Sequence, residues 1–410
     1  MPRSRTVALA SLALAAIAGC ARESDAPRNV VLVVLDTVRA DRLACAAGAR
    51  PPVPRFAALC ARGVWFENAS STSSWTLPAH ASLFTGLYPI EHGATQEHTV
   101  LDEGVPTLAE ILRARGYRTL GVSANPVVSI KSGLARGFDE FAETWREKRL
   151  SRTPGPRAHP NFRAVERLLA GVGPDQRFFL FVNYIEAHGP YRPPEPYRSR
   201  ALAGRGLVGL AAPRLGTAEF YLDPASVPPG VLERLKGLYD GEIAYLDALL
   251  GGLLDALEAG GRLDDTLVVV TSDHGENIGD HGHYRHVFNL YGSNVKVPLL
   301  LLWPRNRGAG QVRSDAVGLL DVFATVLAAA GGPAGGATTS GRDLSTTADA
   351  AAAPPIVAEY YYPLQALGLF GADARERNRD ALAPYLRRLR SIELDGLRLI
   401  GSSDGEVELY

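Results

Sequence analysis

Five apolar runs of strand length, at residues 29 to 35, 118 to 123, 177 to 184, 265 to 271 and 295 to 303, are separated by stretches with helical periodicity such as VPTLAEILRARG and EIAYLDALLGGLLDALEAGG. Unbroken apolar runs suit strands covered on both faces, and their alternation with helices predicts a mostly parallel central sheet flanked by helices, an α/β fold. Open sheets of this kind carry ligands at the carboxyl ends of their strands. The residues just past each run are therefore where chemistry is expected.

Three segments meet that expectation. VVLDTVRAD at 33 to 41, SWTLPAHASLFTG at 74 to 86 and VVVTSDHGENIGDHGH at 268 to 283 each place metal-binding or nucleophilic side chains at or just past an apolar stretch. Asp36 and Asp273 offer hard carboxylate oxygens, His274 an imidazole nitrogen, and Thr76 a hydroxyl that a divalent cation can activate at neutral pH. Pro78 can open a helix whose N-terminal amides would face an incoming anion, a phosphate or sulfate group. Taken singly, Asp36 is also read as a helix cap, Asp273 and His274 as turn residues and Thr76 as a surface hydroxyl.

With 410 residues, 46% of them hydrophobic, the chain can bury a large core. A formal net charge of -1 with mixed signs provides no field to concentrate nucleic acid, which is excluded as an expected partner; oligomeric state is not readable.

The first nineteen residues read as an export signal: Arg3 and Arg5 precede an apolar stretch too short to cross a bilayer. Its end, Ile17-Ala18-Gly19-Cys20, resembles a bacterial lipobox. That resemblance implies cleavage before Cys20, lipid on its sulfur and attachment to a membrane at the periplasmic face or cell surface, with an uncleaved signal anchor as the alternative. Residues 20 to 28 then form a lipidated tether. Cys45 and Cys60 remain, and both a single bridge and two small buried thiols fit.

The main α/β domain is expected over 29 to 330. Residues 185 to 230, rich in Pro, Gly and Arg, read as a surface excursion near the site and a candidate for substrate selection. Residues 331 to 355 read as a flexible passage. Over 356 to 410, ADARERNRDALAPYLRRLR looks like a charged amphipathic helix, and RSIELDGLRLIGSSDGEVELY like strands joined by Asp-Gly turns in a small antiparallel sheet.

From about residue 28 onward the chain resembles the sulfatases of the alkaline phosphatase superfamily. NVVLVVLDTVRADRL is similar to the family's first metal segment, TLPAHASLFTG to its nucleophile segment, YIEAHGPYRPP to its substrate-side histidine loop, and YDGEIAYLD with TLVVVTSDHGENIGDHGH to its second metal segment. GEVELY resembles the start of a closing motif, which implies a C-terminal unit that continues further. The resemblance implies Asp36, Thr76, Asp273 and His274 as metal ligands, with Thr76 as nucleophile. It implies His188 as a group that contacts the anion or protonates the leaving oxygen. Arg39, His80, Asn125, His283 and His286 are the expected substrate-side residues.

The departures set the chemistry. Where sulfatases carry a Cys or Ser converted to formylglycine, with an arginine two positions past a proline, this chain has Thr76 and His80, so no formylglycine is expected. Sulfate on threonine would be hard to clear, whereas phosphate on threonine can be opened by attack at phosphorus. Thr37 replaces an aspartate of calcium sites, and Ser123-Ala124-Asn125 replaces a Lys and His stretch. With His274 in the shell, one divalent ion is expected, Zn²⁺ or Mn²⁺ ahead of Ca²⁺ or Mg²⁺. The expected function is a metal-dependent hydrolase or transferase that cleaves a sulfate or phosphate ester through a covalent Thr76 intermediate. Headgroup transfer at a membrane is a narrower form. The alternative is a catalytically inactive sulfatase-like binding lipoprotein.

Overall fold

The computed structural model describes residues 26–45, 51–147, 155–203, 227–332, 339–346, 354–368 and 372–410. The export segment, Cys20 and residues 204–226 of the excursion lie outside the described residues.

The strands in chain order are β1 (Asn29–Leu35), β2 (Val64–Ser70), β3 (Arg118–Ser123), β4 (Glu140–Glu143), β5 (Phe178–Tyr184), β6 (Thr266–Thr271), the two-residue β7 (Asn277–Ile278) and β8 (Tyr284–Arg285), β9 (Leu299–Leu302) and β10 (Gln311–Gly318). Eight of them form one sheet in the order β10-β2-β9-β6-β1-β5-β3-β4, while β7 and β8 make a separate hairpin. Only β9 runs antiparallel to its neighbours in that sheet. All five apolar runs contain a strand. The strands without such a run, β2, β4 and β10, lie toward or at the sheet's two edges, where exposed positions interrupt the hydrophobic signal.

Central β1 is buried along its whole length, because alternate residues feed two different cores. Val31, Val33 and Leu35 join the core under the long helix Pro229–Ala259, while Val30, Leu32 and Val34 join the one under helices Thr76–Thr85 and Leu319–Ala329. Burial of each such side chain contributes roughly 1.5–3 kcal/mol, which pins β1 between β5 and β6 and fixes where its carboxyl end emerges.

A four-stranded antiparallel sheet follows, β11 (Ile356–Tyr360), β12 (Leu389–Leu394), β13 (Leu397–Ser402) and β14 (Val407–Leu409), in that order. Asp395 and Gly396, both at positive φ, turn β12 into β13 as the Asp-Gly signal predicted. Two expectations are corrected. The single charged helix is instead three short pieces, Ala372–Arg377, Arg379–Leu382 and a 3-10 turn at Ala383–Tyr385. Pro384 lacks the amide an extended helix would need. The passage at 331–355 includes a packed stretch, since Leu344 is buried against the main core and Arg342 pairs with Asp321. Cys45 and Cys60 are joined by a disulfide that ties the loop after β1 to the helix Pro54–Cys60.

Candidate active site

Asp36 follows β1, and Ser272, Asp273 and His274 follow β6, so two neighbouring parallel strands deliver these groups to one edge of the sheet. Thr37 takes a positive φ of 61°, a costly geometry for a β-branched residue, and two contacts hold it there. Its amide donates to Asp273 Oδ1 at 3.2 Å, and the buried Tyr239 hydroxyl donates to its carbonyl at 2.7 Å. Gly275 is required behind His274, because a Cβ there would lie 2.1 Å from the Ser293 carbonyl oxygen.

The cluster is fully buried. Asp36 Oδ2 accepts from Asn125 Nδ2 at 2.6 Å, and Asp273 Oδ1 accepts from the His274 amide at 2.9 Å. The other oxygens, Asp36 Oδ1 and Asp273 Oδ2, have no hydrogen-bond partner. His274 Nδ1 lies 2.9 Å from the Gly275 carbonyl, which accepts only, so Nδ1 carries the proton and Nε2 keeps its lone pair. Thr76 begins its helix with its Oγ1 3.2 Å from that Nε2.

Burial sets the electrostatics. It pushes the Asp36 carboxyl well above the usual carboxylate range, with the Asp273 charge adding to it, and raises Asp273 to about 7. It also holds the His274 imidazole below its ordinary value. Two desolvated carboxylates with orphaned oxygens beside an imidazole lone pair are unfavourable unless a cation joins them. One ligand atom each from Asp36, Asp273 and His274 fall within 4.8 Å of one another. The donor set therefore fits one divalent ion bound by mixed oxygen and nitrogen ligands.

Around this centre stand two more imidazoles. The His286 ring lies 4.4 Å from that of His274 and 5.0 Å from that of His188. His188 hydrogen-bonds through Nδ1 to the Gly189 carbonyl at 2.8 Å. Both rings are held well below the ordinary histidine range, first by burial and then by neighbouring positive groups. His80 is completely buried behind the cluster, its Nδ1 2.9 Å from the Thr76 carbonyl and 3.4 Å from Asp273 Oδ2. It braces the Thr76 helix against the Asp273 carboxylate and, completely buried, is not placed to meet a substrate. Asn125 likewise holds Asp36.

Two expected substrate residues lie elsewhere. The Arg39 guanidinium is spent on Asp41, Asp280 and the Glu276 carbonyl, tying the loop after β1 to the 276–282 loop. His283 packs on Tyr291 and Tyr385 beside the C-terminal unit. Sequence reading missed two neighbours of the centre. Glu276 is completely buried, with Oε1 3.1 Å from His286 Nδ1. The Arg285 charge acts on His188, His274, Glu276 and His286. Arg285 runs across Gly189, where a Cβ would meet its Nη1 at 2.6 Å. Both lay in or beside quoted motifs, Glu276 inside DHGEN and Arg285 between the two flagged histidines.

The fold is alkaline-phosphatase-like, and this centre groups Asp36, Asp273 and His274 as a candidate site for a metal ion. The sulfatase family model matches residues 28–332, and the chain belongs to the sulfatase family of ester hydrolases. It is 28% identical over 380 residues to the multifunctional alkaline phosphatase superfamily protein PehA of Trinickia caryophylli, covering 73% of each chain. It is 25% identical over 357 residues to an arylsulfatase of Clostridium perfringens, covering 73% of this chain and 74% of that one. Among solved structures it resembles a phosphonate monoester hydrolase from Silicibacter pomeroyi, with a TM-score of 0.71, 21% identity, and 93% and 88% of the two chains covered.

Proposed function

We propose that this chain is an exported, lipid-anchored member of the sulfatase family that cleaves a phosphorus ester through a covalent intermediate on Thr76. The observation that carries this reading is the Thr76 hydroxyl at a helix N-terminus, 3.2 Å from His274 Nε2 and beside two orphaned carboxylate oxygens. Asp36, Asp273 and His274 would hold one divalent ion, Zn²⁺ or Mn²⁺ in this reading, which when bound would supply charge for the ester oxygens and lower the pKa of the Thr76 hydroxyl.

The chain's own groups divide the remaining work. Thr76 Oγ1 attacks the ester, and the amides opening its helix face the anion. Arg285 adds positive charge beside the reacting group. His188, anchored through Nδ1, serves the leaving oxygen through its other nitrogen. The preference for phosphorus rests on Thr76, which cannot become formylglycine. The named chemistry of the Silicibacter hydrolase and the breadth of PehA fit the same preference. Export and the anchor rest on residues 1–20; no helix among the described residues is long and apolar enough to cross a membrane.

The test compares aryl phosphate monoester, phosphodiester, phosphonate and sulfate reporters with added Mn²⁺ or Zn²⁺. The phosphodiester and phosphonate should turn over fastest, and Thr76→Ala should remove that activity. Equal rates for wild type and Thr76→Ala on every reporter overturn the nucleophile. A protein that binds no divalent metal would instead be the inactive binding lipoprotein.

A further inference from the structure

We infer that Glu276 and His286 form a carboxylate–imidazole pair, and that the free ring nitrogen of His286 is the base for the second half of the reaction, in which water releases the ester from Thr76. This rests on Thr76 being the nucleophile. The pair is built by the small hairpin: β7 and β8 place Asn277 opposite Arg285, so Glu276 and His286 face each other at its open end. Glu276 is completely buried and His286 is 5% exposed, and Glu276 Oε1 lies 3.1 Å from His286 Nδ1. That is the ring's one hydrogen bond among the described residues. A carboxylate at Nδ1 makes Nδ1 the donor, which leaves the lone pair on Nε2 and fixes the ring's orientation.

The ring's neighbours place it in the same cluster as the Thr76 hydroxyl, with His274 touching both. Its centroid is 4.4 Å from that of His274, whose Nε2 is 3.2 Å from Thr76 Oγ1, and 5.6 Å from that of Trp75, the residue preceding Thr76. A formylglycine hydrate carries a second hydroxyl that can expel the bound group by elimination. Threonine has none, so water must attack phosphorus and its proton needs an acceptor. In this step the water oxygen bonds to phosphorus, the water proton passes to His286 Nε2, and the bond from phosphorus to Thr76 Oγ1 breaks. His286 then gives its proton up to solvent water and Thr76 Oγ1 takes one from solvent, restoring the neutral ring and the hydroxyl. Glu276 acts as a positioning residue, since it touches His286 and no reacting atom. His188 serves the first half, so the two imidazoles divide the leaving-group and water duties.

The test uses the full chain with Mn²⁺ and bis(4-nitrophenyl) phosphate, reading the 4-nitrophenolate burst and intact-protein mass. His286→Gln should keep a burst of about one equivalent while steady turnover falls about 100-fold. A 4-nitrophenylphosphoryl adduct should then accumulate on the Thr76 peptide. Added imidazole should restore turnover to His286→Ala, an effect a purely structural role would not give. Glu276→Gln should accumulate the same adduct with a fall of about 10-fold, and Glu276→Asp should recover part of it. If His286→Gln and Glu276→Gln slow burst and turnover equally without an adduct, while acid-quenched wild type carries one, the pair's role is overturned and the nucleophile stands. If no protein forms an adduct and Thr76→Ala matches wild type, the nucleophile reading falls and takes this step with it. Wild type that releases no 4-nitrophenolate overturns the phosphorus chemistry and the pair's role together.

Discussion

Among the described residues, two buried charge clusters differ in a way that separates a candidate site from a structural joint. At the carboxyl edge of β1 and β6, Asp36 and Asp273 each keep one oxygen without a partner. Where the main sheet meets the C-terminal sheet, Glu393 is contacted by both Lys296 and Arg398. There the Arg398 guanidinium also donates to Ser391 Oγ at 3.1 Å and Ser70 Oγ at 3.3 Å, and no charged atom of the triad is orphaned. Burial of charge is common to both. What distinguishes the first is that, among the described residues, nothing hydrogen-bonds Asp36 Oδ1 or Asp273 Oδ2, which is where the proposed cation would sit.

The sharpest way to break that contrast is at Thr76, the proposed nucleophile. Thr76→Ala should lower turnover by about 10³-fold or more, as expected for loss of a covalent route, measured as kcat on the best phosphorus reporter. An effect under tenfold would place the chemistry elsewhere. Next, Glu393→Ala should leave Arg398 buried and unpaired at a cost of about 3–5 kcal/mol. Urea unfolding should register that loss while bound-metal stoichiometry stays unchanged; loss of metal would erase the distinction between the clusters.

Asp273→Asn should give the reverse pattern. The variant loses the metal, by elemental analysis, yet the metal-free protein is no less stable than metal-free wild type. The pH dependence follows from Asp273, whose folded value of about 7 lies above its ordinary 3.8. The folded state then holds a proton that the unfolded chain releases, so its contribution falls as pH rises from about 4 through 7. Across that window, unfolding of metal-free protein should favour Asp273→Asn by a growing margin; a flat difference would contradict the buried, uncompensated carboxylate. The smallest effect concerns His92, buried outside both clusters, where burial lowers the imidazole to about 4. Its neutral form is stabilised by folding, so its contribution is present above about 6.5 and falls as pH drops toward 4. An NMR titration of His92 that gives an ordinary value would remove this term.

The centre was legible because apolar runs announce strand ends. Asp36, Asp273 and His274 could be read directly past two such runs, and Thr76 at the opening of an apolar helix. Arg39 and His283 were drawn to the site by nearness in sequence, but Asp41, Asp280, Tyr291 and Tyr385 claim them. Glu276 and Arg285 were passed over because two-residue strands leave no hydrophobic periodicity to show which way their side chains project. The Lys296, Glu393 and Arg398 triad had no signal either, since its members are about 100 residues apart or lie in a small peripheral sheet.

The sequence by itself determined the alternation of helix and sheet and the strand ends at which Asp36, Asp273 and His274 stand, because each is a local property of residue type and period. Only tertiary structure decided which buried charges find partners, the antiparallel direction of β9 and the meeting of Glu276 with His286. Those depend on which distant segments pack together, and hydrophobic burial fixes that packing without regard to distance along the chain.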